Sequence, residues 1–238
     1  MGKFQFKRFA VIDDHSAMKI GTDGVLLGAW TPVKGFDVVI DAGCGSGLIA
    51  LMLAQRTEGL ATRIIGVELD SGAAADARSN AATSPWAERI EILEGDVLSI
   101  RRPKADALLL VANPPFFNEP LRSPSASRAL ARHGSDFCPL SLIALASRLF
   151  ASEADRLAFI VPSTRDDEIE FSLSLNRLNV IEKCAVCTRA SRQPSRTMWL
   201  VGFAPAAPGV TSLCIRDVDN NYTSEYLSLT STFYLDRP

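Results

Sequence analysis

The feature that most constrains the fold of this chain is an apolar strand that leads through a glycine-rich loop into a helix. The strand is predicted at Asp37–Asp41 (DVVID), the loop contains Gly43, Gly45 and Gly47, and the helix formers LIALMLAQ follow. A strand that is apolar along its whole length is typical of a sheet with helices on both faces. Backbone amides at the start of the next helix can face a ligand above the strand end. The sequence therefore predicts an α/β domain with a small-molecule site at this loop.

The alternation of strand and helix continues along the chain. Further strands are predicted at Ile64–Leu69, Ile90–Leu93, Ala105–Ala112 and Arg156–Val161, and further helices at 73–82, 140–150 and 165–176. Alternation of this kind predicts parallel strands joined by helices. Only the loop RASRQPSR separates the last two strands of this series, at 180–188 and 197–204, and such a short connection requires an antiparallel pair. We therefore predict a mostly parallel sheet that ends in an antiparallel hairpin.

Length and composition predict one soluble domain. A chain of 238 residues suits a single large α/β domain, which we place over 1–238. Residues 1–30 are predicted to form a flap, with a hairpin at Lys3–Ile12 and a short helix that Thr22 or Asp23 can cap, and 205–238 a strand and helix extension. No run approaches the roughly 20 apolar residues of a membrane helix. We expect a cytoplasmic protein without membrane contact.

Three acidic residues follow three successive predicted strands. Asp41 precedes the glycine loop, Glu68 ends the second strand, and Asp96 follows the third. A carboxylate at the position of Asp41 repels a pyrophosphate but attracts the ammonium and sulfonium groups of S-adenosylmethionine. Glu68 can accept hydrogen bonds from both ribose hydroxyls, and Asp96 from the adenine amino group. These positions favour S-adenosylmethionine over a dinucleotide as the cofactor.

The fourth predicted strand ends in the tetrad NPPF, Asn113 to Phe116. The prolines stiffen the loop, because each fixes its own φ and restricts the preceding residue. The Asn113 side-chain oxygen and the Pro114 carbonyl can then accept both hydrogens of a planar amino group and aim its lone pair at a methyl donor. Phe116 offers a ring on which a flipped-out base can stack. We predict methyl transfer to a ring amino group, without a nucleophile or a metal.

The motifs DAGCGSG, VELD, GDV and NPPF together resemble those of the class I methyltransferases, in the branch that methylates amino groups. Three further segments, MKIGTDGVLLGAW, SPWAERI and DNNYTSEYLSLTSTFYL, are similar more narrowly to the bacterial tRNA(valine) adenine-37 N6-methyltransferase family. The similarity covers nearly the whole chain. It implies a Rossmann-like sheet of seven strands, S-adenosylmethionine as the cofactor, and methylation of the adenine that follows the anticodon of a tRNA.

The resemblance also implies roles for individual residues. The cofactor is held by Asp41, Glu68, Asp96 and the three glycines, and the amino group by Asn113 and Pro114. In two respects the match leaves the acceptor open. Members of the family often carry Tyr where this chain has Phe116, and NPPF is common in guanine-N2 methyltransferases of rRNA. Guanine N2 in rRNA, adenine in DNA and a protein glutamine amide therefore stay as alternative acceptors, and a cofactor-binding protein without catalysis as an alternative of another class.

Basic residues cluster in segments that can surround the acceptor pocket. The net charge of −2 argues against a uniformly basic surface, so RNA contact has to come from local patches. The three candidate patches are Lys3, Lys7 and Arg8; Arg122, Arg128 and Arg132; and Arg189, Arg192 and Arg196. The pair Cys184 and Cys187 has no second pair at matching spacing, and His133 is a lone loop histidine, so we predict no metal site. We expect the enzyme to act as a monomer.

Overall fold

The structure is a computed structural model that describes residues 2–16, 18–115 and 137–235. Within these residues the strands are β1 (Lys3–Gln5), β2 (Ala10–Ile12), β3 (Val38–Ala42), β4 (Arg63–Glu68), β5 (Ile90–Glu94), β6 (Leu108–Ala112), β7 (Arg156–Pro162), β8 (Asn179–Cys187), β9 (Arg196–Gly202) and β10 (Gly209–Cys214). The α-helices are α1 (Thr22–Trp30), α2 (Leu48–Arg56), α3 (Ser71–Ala82), α4 (Pro139–Leu149), α5 (Asp166–Leu175) and α6 (Ser224–Thr230).

Eight strands form one sheet in the order β10, β8, β9, β7, β6, β3, β4, β5. Strands β3 to β7 are parallel to one another. Strand β9 is antiparallel to both of its neighbours, β7 and β8. The predicted fold, a mostly parallel sheet with an antiparallel hairpin, is therefore confirmed. The sheet has one strand more than the seven predicted, because β10 pairs in parallel with β8 at the edge.

Side chains of the central strands alternate between two cores. In β6, Leu109 and Val111 belong to the core on the face that α1 and α2 cover, whereas Leu108 and Leu110 belong to the core that α4 covers. Because successive side chains of a strand point to opposite faces, a strand buried on both sides has to be apolar at every position. This explains the uninterrupted apolar run that the sequence shows there.

The carboxyl ends of the parallel strands lie along one edge of the sheet, which we call the carboxyl edge. The glycine loop follows β3 there, and the segments after β4, β5 and β6 lie beside it. Strand β8 runs in the same direction as β7, because both are antiparallel to β9. The loop of the β8–β9 hairpin therefore lies on the same edge. Ligands of open α/β sheets bind outside the carboxyl ends of the strands, which makes this edge the candidate site.

Helix α3 holds the N-terminal segment beside the glycine loop. The Asn80 side chain is 2% exposed. Its Nδ2 donates to the carbonyls of Ile12 at 2.7 Å and Ser46 at 2.9 Å, and its Oδ1 accepts from the Ile12 amide at 2.9 Å. One turn earlier, the Asp76 carboxylate accepts from the His15 amide at 2.8 Å. A single buried amide thus connects β2 to the loop at the carboxyl edge.

We predict that Asn80→Ala lowers the free energy of unfolding by about 3 kcal/mol, because it removes three hydrogen bonds to backbone groups, one of them buried and two partly buried. Denaturant unfolding measures this loss. Amide hydrogen exchange should also accelerate at residues 10–16 before it does so in the central sheet. The matched control is Ser79→Ala, an exposed position on the same helix, which should change stability by less than about 0.5 kcal/mol. Equal losses in the two variants would contradict the anchoring role of Asn80.

Candidate active site

The glycine loop is shaped by backbone conformations that favour glycine. Gly43, Gly45 and Gly47 have φ values of +67°, +54° and +80°. A Cβ at Gly43 would also lie 2.8 Å from a ring carbon of Phe137, so a larger residue is excluded on two grounds. At Gly45, in contrast, a Cβ would meet no atom within 4 Å. The loop is therefore tightly packed below Gly43 and open above Gly45, where a ligand can approach its backbone.

Asp41 lies beneath this loop and is fully buried. Its Oδ2 accepts a hydrogen bond of 2.9 Å from the amide of Ala50, in the first turn of α2. Its Oδ1 is buried and has no partner in the part of the chain that the structure describes. Burial raises the pKa of Asp41 to about 7; the Ala50 amide opposes this rise and the nearby charge of Glu68 adds to it. The carboxyl thus supports the helix start from below and does not form part of the surface of the loop.

Glu68 and Asp96 lie at the carboxyl ends of the two neighbouring strands. Glu68 accepts from the amides of Gly45 at 2.8 Å and Asp70 at 3.0 Å. Asp96 accepts from the Leu98 amide at 2.9 Å. A carboxylate offers about four acceptor sites, so both side chains keep acceptor capacity after these bonds. The structure therefore brings the three acids of the sequence analysis together along adjoining strands, β3 to β5.

Asn113 directly follows β6, on the other side of the glycine loop from Glu68. Its side-chain oxygen is buried and has no hydrogen-bond partner among the described residues. A buried acceptor left in this state is costly unless a ligand supplies the donor. Pro114 is buried and Pro115 is exposed. Phe116 lies outside the described residues, as do Arg122, Arg128, Arg132 and His133.

A cavity of about 540 Å³ opens between the glycine loop and the β8–β9 hairpin. It is lined by three groups of residues together with Asn113: the segment 18–24, the glycine loop at 43–46, and Val186, Thr188, Ser195 and Arg196 of the hairpin. Sites for small molecules commonly have volumes of about 300–1,000 Å³. Glu68 and Asp96 lie outside this lining, on the β4 and β5 side. The cavity therefore extends from the glycine loop past the end of β6 to the β8–β9 hairpin.

The residues of this edge fit a cationic cofactor that carries a ribose. Asp41 and Glu68 accept hydrogen bonds from backbone amides, and within the described part of the chain neither forms an ion pair. Burial, followed by the charges of Asp41 and Glu68, raises the pKa of the Cys44 thiol well above its usual range, so this thiol stays neutral. Uncompensated negative charge below an open backbone loop attracts a positively charged ligand.

Asp23 and Arg196 form an ion pair in the wall of the cavity that the sequence analysis did not predict. The Arg196 Nε lies 2.7 Å from the Asp23 Oδ2. Thr22 or Asp23 was expected to cap α1, but the N-cap is Gly21, which makes no side-chain capping bond. The Asp23 carboxylate instead forms the ion pair with Arg196. The two residues are 173 positions apart, so no local pattern could have indicated their contact.

The basic residues do not all lie near the cavity. Arg8 pairs with Glu58 at 2.6 Å and lies over the Trp86 ring at 5.2 Å. Glu58 follows the end of α2, about 13 Å along the helix from the glycine loop. Because Arg8 pairs with Glu58, it lies away from the pocket, and its predicted place on the pocket rim is wrong. Arg189 and Arg192 are exposed in the hairpin loop on the carboxyl edge, where Arg189 donates to the Asn220 side chain at 2.6 Å.

Nowhere in 2–16, 18–115 and 137–235 do three His, Cys, Asp or Glu side chains come close enough to hold a metal ion. Over the same ranges, every helix is too short or too polar to cross a bilayer. Cys184 is buried and Cys187 is partly buried, and both are free thiols.

Solved structures share the fold of this chain. A crystal structure described as a predicted O-methyltransferase from Agrobacterium tumefaciens superposes with a TM-score of 0.65 and 17% identity, covering 89% of this chain and 96% of that one. A class I S-adenosylmethionine-dependent methyltransferase from Listeria monocytogenes gives a TM-score of 0.56 and 13% identity, covering 87% and 65%. A family model described as a methyltransferase domain matches residues 39–134. At these identities the structures show the fold alone.

Curated relatives are much closer in sequence. Proteins named tRNA1(Val) (adenine(37)-N6)-methyltransferase match from Aeromonas hydrophila at 42% identity, covering 98% of this chain and 97% of the relative, and from Tolumonas auensis at 36%, covering 98% and 96%. The relative of the same name from Bacteroides thetaiotaomicron is 36% identical, with coverage of 98% and 97%. These matches run through the flap, the glycine loop, the hairpin and the C-terminal extension alike. The chain therefore belongs to the tRNA1(Val) (adenine(37)-N6)-methyltransferase family.

Proposed function

We propose that this protein transfers a methyl group from S-adenosylmethionine to N6 of adenine 37, next to the anticodon of tRNA1(Val). The observation that carries the proposal is the buried Oδ1 of Asn113, which has no partner within the described residues and lies in the wall of a cavity that adjoins the glycine loop. The names of relatives at 36–42% identity support the choice of acceptor. With a tRNA as its substrate, the enzyme acts in the cytoplasm, and we expect it to do so as a monomer.

The cofactor, when bound, supplies a methyl group on a positively charged sulfur. The chain's part is to bind and orient it across β3 to β5. Gly45 lets the ligand approach the loop backbone, and Gly43 and Gly47 shape the turn into α2. Asp41 contributes negative charge from below. Glu68 accepts from the ribose hydroxyls with its remaining lone pairs, and Asp96 accepts from the adenine amino group.

On the acceptor side, Asn113 and Pro114 hold the amino group of the target base. Its two hydrogens are donated to the Asn113 Oδ1 and the Pro114 carbonyl, which turns the nitrogen lone pair toward the methyl donor. Because two adjacent prolines restrict the backbone, these acceptors are fixed before the substrate arrives, and little reorganisation is needed during reaction. Phe116 is proposed to stack on the flipped-out base.

The choice of adenine over guanine rests on the family. Both bases present a planar amino group to the same acceptor pair, so the Asn113 geometry is compatible with either. An anticodon-loop base is unpaired, so it can be turned into a pocket at lower cost than a base in a duplex. Arg189 and Arg192 lie on the carboxyl edge and are proposed to contact backbone phosphates of the loop.

The experiment that tests this function incubates the protein with unmodified tRNA1(Val) and S-adenosylmethionine labelled in the methyl group. We expect the label in N6-methyladenosine, within the nuclease fragment that contains position 37. A transcript with guanine at position 37 is the matched control and should stay unlabelled. Label in N2-methylguanosine, or in an adenosine outside the fragment that contains position 37, would refute the proposed acceptor.

We predict that Asn113→Ala lowers kcat by about 10²–10³-fold, the effect of losing one preorganised hydrogen-bonding group in a transition state. Cofactor affinity, measured by calorimetry, should stay within about twofold, because Asn113 touches the acceptor and not the cofactor. Asn179→Ala is the control, since Asn179 bonds to the Phe203 carbonyl at the opposite edge of the sheet. Near-normal turnover in Asn113→Ala would contradict the mechanism.

The buried Asp41 predicts a pH dependence of stability and of ligand binding. Its pKa of about 7 is raised above the ordinary value, so folding favours the protonated form. The resulting stabilisation is complete below about pH 4 and is lost as the pH rises through about 7. A cationic ligand favours the ionised form, so the thermal shift produced by S-adenosylhomocysteine, which keeps the ammonium group, should be larger at pH 8 than at pH 6. Asp41→Asn should give equal shifts at the two values. An unaltered pH dependence in this variant would contradict the assignment.

A further inference from the structure

The Asp23–Arg196 ion pair connects two walls of the cavity that come from opposite ends of the chain. Asp23 lies in the first turn of α1, and Arg196 begins β9. Their side chains are 25% and 30% exposed, and both line the cavity together with Asn113. The Arg196 Nη1 also bonds to the carbonyl of Ser195, which helps to fix the guanidinium. A negatively charged side chain is favoured at the N-terminus of a helix, so the orientation of the pair suits the dipole of α1.

The sheet order shows which end of the cavity this pair occupies. Arg196 is in register with Pro162 of β7, and β9, β7, β6 and β3 are neighbours in that order. Adjacent strands lie about 4.8 Å apart, so Arg196 is about 10 Å from the strand that carries Asn113 and about 14 Å from the strand that carries the glycine loop. Glu68 and Asp96 lie farther away still, on β4 and after β5. The pair is thus at the acceptor end of the cavity.

We propose that Asp23 and Arg196 are a positioning pair for the acceptor base, which fixes the width of this end of the cavity by holding the segment 18–24 against the β8–β9 hairpin. The inference rests on the proposed function and adds residues to its acceptor site.

The two partners contribute to the same contact. Loss of either Arg196 or Asp23 removes the link between the segment 18–24 and the β8–β9 hairpin. Arg196→Gln and Asp23→Asn should therefore both act mainly on acceptor binding.

The experiment compares Arg196→Gln, Arg196→Lys and Asp23→Asn with the wild type, for KM and kcat with tRNA, for S-adenosylhomocysteine affinity, and for thermal midpoint. Arg196→Gln and Asp23→Asn should each raise the KM for tRNA about tenfold, equivalent to one lost interaction of moderate strength. Cofactor affinity should stay within about twofold in all three. Arg196→Lys keeps the charge and should restore most of the activity. The control is Arg63→Gln, which removes an ion pair with Glu91 at the amino ends of β4 and β5.

The outcomes separate this inference from the proposed function. If the wild type methylates tRNA but Arg196→Gln and Asp23→Asn behave like Arg63→Gln, the positioning role is wrong and the proposed function stands. Losses of activity that follow a lower thermal midpoint or weaker cofactor binding would also overturn it, since they would indicate a general structural role. A wild-type protein that does not methylate tRNA overturns the proposed function and this inference together.

Discussion

The arrangement of the carboxyl edge depends on one buried carboxyl group. Asp41 comes at the end of β3, where one oxygen holds the first turn of α2 and the other has no partner among the residues that the structure describes. Burial disfavours the ionised form of this carboxyl group and raises its pKa to about 7. The glycine loop lies directly above it, tied to Glu68 by the amide of Gly45. The loop is therefore held in shape by two acidic residues, Asp41 and Glu68, and neither forms an ion pair within the described residues.

The same edge is divided into two halves by the order of the strands. Strands β3 to β5 present the glycine loop and the acids, whereas β6, β7 and β9 present Asn113 and the Asp23–Arg196 pair. A methyl donor and an amino acceptor have to meet end to end, with the reacting atoms about 3–3.5 Å apart. A sheet with a donor half and an acceptor half meets this requirement without a second domain.

The fold itself does not determine the acceptor. A protein described as a predicted O-methyltransferase shares it at 17% identity, with a TM-score of 0.65. Under the proposed function, the feature that selects an amino acceptor is local, namely a side-chain amide followed by two prolines at the end of β6. The N-terminal segment lies outside the sheet and contacts the site at two places. Asn80 of α3 holds it beside the glycine loop. Arg196 of the β8–β9 hairpin holds it through Asp23. Selectivity among methyltransferases of this fold is therefore expected in these added contacts.

The sequence by itself determined the parallel sheet, the antiparallel hairpin and the strand ends at Asp41, Glu68 and Asn113, because apolar periodicity, short connections and glycine spacing are local properties of the chain. It did not reveal that Asp41 is buried below the loop or that Asn80 joins β2 to Ser46. Nor did it reveal that Asp23 pairs with Arg196 or that Arg8 lies at the far end of α2. Each of these depends on partners distant in sequence. Burial and ion pairing are set by which segments pack together, and only the tertiary structure decides that.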